Sequence, residues 1–171
     1  EGAHDDLYES RLYCEAIERL TGPGRIICSS AGNEAYKGTY MAKPQGRERA
    51  GAFIATGSNQ AFYTIASAEP PTVELTFYDD SQGKRETVAY DLTRLREYPD
   101  SVELDTINTP TSRYITAMVI YPSCYDDGRY ATELLVMAPD EKTLPDAISI
   151  EIVGKENDIE VYASGGWFRA D

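Results

Sequence analysis

Beyond residue 50 the chain alternates. Val73, Leu75 and Phe77 are separated by Glu74 and Thr76, while Val88, Tyr90 and Leu92 are separated by Ala89 and Asp91. This is the period of a strand with one face in a core and the other in water. Strand-forming runs recur at 52–56, 61–66, 101–105, 113–121, 132–137, 148–153 and 159–163, so nine short strands are expected. Asp79-Asp80-Ser81-Gln82-Gly83 and Gly154-Lys155-Glu156-Asn157-Asp158 hold the residues of tight turns and read as hairpin connections. The pattern predicts a mainly β, antiparallel sandwich over 51–171, and the number of strands favours a jelly roll over a smaller immunoglobulin-like domain.

Residues 1–34 follow another rule. Leu7, Leu12, Tyr13, Ala16, Ile17 and Leu20 largely keep the three-and-four spacing of one helical face, which predicts a helix over 7–20. Asp6 suits its N-cap with Glu9 three residues on, and Gly22-Pro23-Gly24 ends it. Arg25-Ile26-Ile27-Cys28-Ser29-Ser30 is apolar without alternation and predicts a strand over 25–31 buried on both faces, as in a parallel sheet. The loop after it begins at the strand's C-terminal end, where open α/β sheets place their ligand sites. Residues 35–50 hold Gly38, Pro44 and Gly46 without a sustained period and read as a connector.

Charge sharpens this division. The 16 basic and 29 acidic residues give a net charge of −13, which opposes nucleic acid and anionic membrane surfaces as partners. The connector is the exception, with Lys37, Lys43, Arg47 and Arg49 against Glu48. No apolar run approaches the roughly 20 residues of a membrane helix. Cys14, Cys28 and Cys124 cannot all pair within one chain and match no zinc spacing, so Cys14 and Cys28 read as buried thiols.

The segment Leu20-Thr21-Gly22-Pro23-Gly24-Arg25-Ile26-Ile27-Cys28-Ser29-Ser30-Ala31-Gly32-Asn33-Glu34 resembles a stretch of the subtilisin-like serine proteases, the subtilases. In that family a helix leads through a glycine turn into a buried strand ending in Ala-Ala-Gly-Asn-Glu or a near variant. Gly2-Ala3-His4-Asp5-Asp6 also resembles the Gly-x-His-Asp-Gly lead-in of bacterial subtilases with a β-sandwich insertion, with Asp6 in place of the second glycine. The resemblance covers residues 1–34 of 171. It implies that Asn33 donates its side-chain amide to the oxyanion of the tetrahedral intermediate, and that Ser30, Ala31 and Gly32 form a wall of the specificity pocket. An amide fixed about 3 Å from that oxygen stabilises charge that exists only in the transition state; in subtilisin itself, losing the donor costs about 10²–10³ in turnover. Without its context, Asn33 reads as a turn residue after a strand.

The rest of a subtilase's machinery has no counterpart in these residues. His4 is the single histidine and lies near the helix start, and Thr111-Ser112 lacks the preceding glycine turn that presents a nucleophile. The chain is therefore expected to be an internal piece of a longer protease, inert alone, with 1–34 from the catalytic core and the sandwich inserted between the oxyanion asparagine and the nucleophilic serine. The implied partners are the rest of the catalytic domain and a peptide or protein substrate, with self-association possible through the orphaned strand. No cofactor is implied, and the resemblance points to a secreted or cell-envelope bacterial protein.

Two other readings stay open. A sandwich is also a common scaffold for modules that bind carbohydrate or protein, and a pseudoprotease would keep the core but lack a triad member. Among the 13 tyrosines, Tyr63, Tyr78, Tyr121, Tyr125, Tyr130 and Tyr162 would make a sugar-stacking platform if several shared an exposed face. Asp79-Asp80 and Asp126-Asp127 have the oxygen ligands that calcium takes, but they sit in turn sequences without the spacing of a dedicated loop, and no metal site is assigned.

Overall fold

The computed structural model describes residues 15–16, 19–20, 23, 38–79, 83–98, 101–121, 128–145, 147–154 and 158–169. The chain divides into two compact units, 1–35 and 36–171. In the first unit Glu15, Ala16, Arg19 and Leu20 are helical. Glu15 and Arg19 approach to 4.0 Å one turn apart, with the acid N-terminal, the favourable order on a helix. The remainder of the helix expected over 7–20 and the strand expected over 25–31 lie outside the described residues.

The second unit holds eleven described strands: β1 (Tyr40–Lys43), β2 (Arg49–Ala55), β3 (Gln60–Ser67), β4 (Thr72–Asp79), β5 (Lys84–Asp91), β6 (Val102–Asn108), β7 (Arg113–Tyr121), β8 (Tyr130–Met137), β9 (Ile148–Val153), β10 (Ile159–Ala163) and β11 (Trp167–Arg169). One short helix, α1 (Thr93–Arg96), precedes β6. The strands form a six-stranded sheet in the order β1-β10-β3-β8-β7-β6 and a five-stranded sheet in the order β11-β2-β9-β4-β5. All pairings between named strands are antiparallel. The expected antiparallel, mainly β architecture is present.

Its topology is nested at the outside and simpler at the centre. β1 pairs with β10, β2 with β9 and β3 with β8, in alternate sheets. A jelly roll would continue with β4 beside β7 and β5 beside β6. Here β4 turns back onto β5 within one sheet, and β6, β7 and β8 form a meander in the other. The outer pairs are thus nested, and local hairpins take the place of the inner pairs that a jelly roll requires, where short connections favour adjacent pairing.

Two further expectations change. Residues 40–43, placed in the connector, form edge strand β1. The stretch is too short for its period to register, but its register against β10 is complete from Tyr40 opposite Tyr162 to Lys43 opposite Ile159. Residues 44–47 then turn tightly, Arg47 N–H donating to the Pro44 carbonyl at 3.1 Å, with Gly46 at a φ of 82° in the left-handed region that glycine adopts without a Cβ clash. The connection through Gly154 to Asp158 is no hairpin either: β9 and β10 belong to different sheets, so it crosses between them. The turn through Gly83 does close a hairpin, with Asp79 opposite Lys84 in register.

The core lies between the sheets. Ile148, Ile150 and Ile152 of β9, Val73, Leu75 and Phe77 of β4, Leu134 and Val136 of β8, and Met118 and Ile120 of β7 all point inward and are buried. Phe77 meets Tyr114 across the sandwich with ring centroids 4.5 Å apart. Tyr90 is buried with its hydroxyl 2.8 Å from the Thr116 hydroxyl, and burial pushes its pKa up to about 12. Lys43 is a polar exception at 1% exposure: its stem enters the core end, and its ammonium donates to the carbonyls of Arg47 at 3.1 Å and Pro44 at 3.5 Å, bracing the 44–47 turn.

Candidate functional site

Ser30, Ala31, Gly32 and Asn33, the residues assigned by resemblance to an oxyanion hole and pocket wall, lie outside the described residues, as do His4 and the three cysteines. Ser112 lies within them and is a turn residue. Its backbone N–H donates to the Thr109 hydroxyl oxygen at 3.1 Å, and its own hydroxyl donates to Glu141 at 3.1 Å. Among the described residues no three His, Cys, Asp or Glu side chains converge to hold a metal ion, and no helix is long and apolar enough to cross a membrane.

The structure assembles a different constellation at the β1 edge. A cleft of about 650 Å³ is lined by Tyr40, Lys43, Gln45, Arg129, Asp158 and Glu160, among others. β1 and β10 bring Tyr40 opposite Tyr162 and Ala42 opposite Glu160, so both tyrosines and the carboxylate share one outward face. The tyrosine rings lie 5.3 Å apart and tilted by 51°. Glu160 accepts the Arg129 guanidinium at 2.5 Å on one oxygen and the Tyr40 hydroxyl at 3.1 Å on the other. The Arg129 hydrogen bond, with further help from Tyr162 and Tyr40, holds the Glu160 carboxyl below its usual range. Accepting from the Tyr40 hydroxyl raises that tyrosine's own pKa in turn. Opposite, the Asp158 carboxylate caps the Gln45 N–H at 2.6 Å.

This arrangement can recognise a ligand but contains no nucleophile paired with a base. Its carboxylate is already paired with Arg129 and Tyr40, while the half-exposed Tyr40 ring lines the cleft and that of Tyr162 lies beside it. Among the described residues, Tyr63, Tyr78, Tyr130 and Tyr162 do not form one platform. Tyr63 is in the core, where its hydroxyl lacks a partner and burial pushes its pKa up. Tyr78 packs on Phe53 at 5.5 Å in the other sheet, and Tyr130 carries the Arg96 guanidinium 5.4 Å above its ring. Tyr162 stands beside the cleft with its ring against that of Tyr40, a lining residue that sequence reading placed in the connector. The cluster spans a separation of 120 residues between Tyr40 and Glu160, so no local spacing announces it.

A second hollow lies on the outward side of the five-stranded sheet, lined by Gly51, Phe53, Tyr78, Ser149 and Glu151. Arg49 closes its edge, donating to Glu74 at 2.6 Å and Glu151 at 2.7 Å.

The chain matches no protein-family profile and no curated protein. In fold it is similar to the solved structure of the Clostridium perfringens CspB protease, with a TM-score of 0.50 at 9% identity over 78% of this chain. The likeness is to one part of a protease. The chain spans 26% of that protein's length, and at this identity the likeness is one of fold.

Proposed function

We propose that the chain is part of a subtilisin-like serine endopeptidase, with 1–34 supplying the oxyanion-hole segment and the sandwich serving as an accessory insertion. The observation that carries this reading is the fold likeness of the chain to part of a protease of the subtilase kind. It covers 78% of the chain, so it must extend well into the sandwich, whereas the subtilase-like Ser30-Ala31-Gly32-Asn33-Glu34 motif was read from the other unit. Peptide cleavage would proceed by serine acylation, with Asn33 donating to the developing oxyanion and Ser30, Ala31 and Gly32 walling the pocket. The nucleophile and base would come from the rest of the polypeptide, and such a protein would be secreted or held at the cell envelope of a bacterium.

The test is labelling with a fluorophosphonate, which acylates an activated serine. The full-length protein should label, the 171-residue chain should not, and Asn33→Ala in the full-length protein should lower turnover about 10²–10³-fold with little change in substrate binding. An unchanged rate would remove Asn33 from the mechanism. The cleft lined by Tyr40, Arg129 and Glu160, with Tyr162 beside it, favours a second reading, a non-catalytic binding module. A carbohydrate screen in which Tyr40→Ala abolishes binding, with no fluorophosphonate labelling, would decide for it.

A further inference from the structure

Outward side chains of neighbouring strands line up in rows that cross a sheet. On the five-stranded sheet one such row is Phe53, Ser149, Thr76 and Thr87, on β2, β9, β4 and β5. It begins at an aromatic ring and continues in three short hydroxyl side chains, a low lane over three strand gaps of about 4.8 Å, or roughly 14 Å. Glu151 and Glu74 flank it on one side, Tyr78 and Arg85 on the other. At the aromatic end the half-buried Phe53 and Tyr78 rings lie 5.5 Å apart, and the Tyr78 and Ser149 hydroxyls are 3.4 Å apart. A hollow of about 380 Å³ opens there. It exists because two of its positions carry little side chain. Ser149 is small, and Gly51 lets the Glu151 side chain lie across β2, where a Cβ would stand 2.6 Å from its Cγ.

The chemistry of this surface selects a ligand. Arg49 donates to Glu74 and to Oε2 of Glu151, while Oε1 of Glu151 accepts no hydrogen bond among the described residues. Thr76 and Thr87 share one hydrogen bond at 2.9 Å, and each hydroxyl keeps further capacity. A ligand must therefore bring donors for the carboxylate and an apolar face for the rings. A proline-rich peptide, which aromatic-lined grooves also take, offers carbonyl acceptors and few donors. An anionic ligand would meet the open carboxylate and a net charge of −13. A neutral sugar ring satisfies both demands: its hydroxyls donate and accept around the rim, and its C–H face lies against the electron-rich face of an aromatic ring. Rings whose hydroxyls are all equatorial have two such faces, and a chain of them joined through equatorial bonds is flat, as the lane requires.

We propose that the outward face of the five-stranded sheet binds a neutral, flat oligosaccharide of the cellulose or chitin kind along this lane. One sugar ring sits in the hollow against Phe53 and Tyr78, with Oε1 of Glu151 accepting from a ring hydroxyl, and the next lies over Ser149 and Thr76. The site is on the other sheet from the Tyr40 and Glu160 cleft and does not depend on the protease reading.

The experiment is an NMR titration of the isotope-labelled 171-residue chain with cellotetraose and, separately, chitotetraose at millimolar concentration. Either sugar should shift the amide resonances of Phe53, Ser149, Thr76 and Thr87 and leave those of Tyr40 and Glu160 in place. Phe53→Ala should weaken binding about tenfold, the loss of one aromatic contact. Thr76→Arg, on the water side of β4, lays a long side chain across the lane and should abolish binding while the spectrum keeps its folded dispersion. No shift with either sugar would overturn the proposal, as would full binding by the Thr76→Arg chain. Shifts confined to Tyr40 and Glu160 would also overturn it, since the sugar would then occupy the other cleft. So would lane shifts with a proline decapeptide and none with the sugars, which would make the lane a peptide groove.

Discussion

The two sheets bury the same kind of residue inward and turn opposite surfaces outward. On the five-stranded sheet the outward positions of β4 are Thr72, Glu74, Thr76 and Tyr78, and Arg49 ties Glu74 to Glu151 across three strands. Thr76 and Thr87 join hydroxyls at 2.9 Å on the same face. This is the surface of a sheet meant for water. On the six-stranded sheet β7 sends Ile115, Ala117 and Val119 outward, and the charges that share the face are already tied: Glu133 accepts the Thr64 hydroxyl, Glu160 pairs with Arg129, and Arg113 with Asp140. Inward burial explains why the sandwich folds.

The largest expected effect lies between the faces and should be blind to them. Phe77→Ala removes a ring packed on Tyr114 at the centre of the core and should cost about 3–5 kcal/mol in denaturant unfolding. A loss below about 1 kcal/mol would mean that the sheets are not packed against each other as described.

The water-facing sheet gives the next test. A Cβ at Gly51 would lie 2.6 Å from the Glu151 Cγ and 2.8 Å from the Ile150 carbonyl oxygen, and the carbonyl is backbone that cannot swing aside. Gly51→Ala should therefore destabilise by about 1–3 kcal/mol, the usual range for overpacking. A neutral result in the same unfolding assay would show that β2 and β9 are looser than their register implies.

The smallest effect is at the edge of the apolar face. Glu160 has a lowered pKa in the folded chain, so its pairing contributes stability above the ordinary glutamate range and loses it as pH falls through the lowered folded value. Arg129→Gln should cost at most about 1 kcal/mol at neutral pH, because the pair is partly exposed, and the cost should vanish at strongly acidic pH. A pH-independent cost would assign the role of Arg129 to packing.

Much of the sandwich was legible in the sequence because strand pairing with one wet face imposes a period of two. Val73, Leu75 and Phe77, and Ile148, Ile150 and Ile152, carry that period and are buried as it requires. β1 and β11 were not found, since four and three residues are too few for any period and both are fixed by their partners. The candidate cleft was likewise illegible: Tyr40 and Glu160 are joined by the β1–β10 register, a long-range pairing that local preference does not encode. The apolar outward face did leave a trace. In Tyr114-Ile115-Thr116-Ala117-Met118-Val119-Ile120 alternation gives way to a nearly continuous apolar run, and Ile115, Ala117 and Val119 are its outward members.

By itself, then, the sequence determined the strand-rich character of 51–171, most of its inward-facing residues and the −13 charge, because those follow from composition and from a period of two. The tertiary structure decided which strands share a sheet, where the inner hairpins replace a full roll, and which distant side chains meet. Those outcomes depend on packing between segments far apart in the chain, where many pairings satisfy the same local pattern and only one fills the space between the sheets.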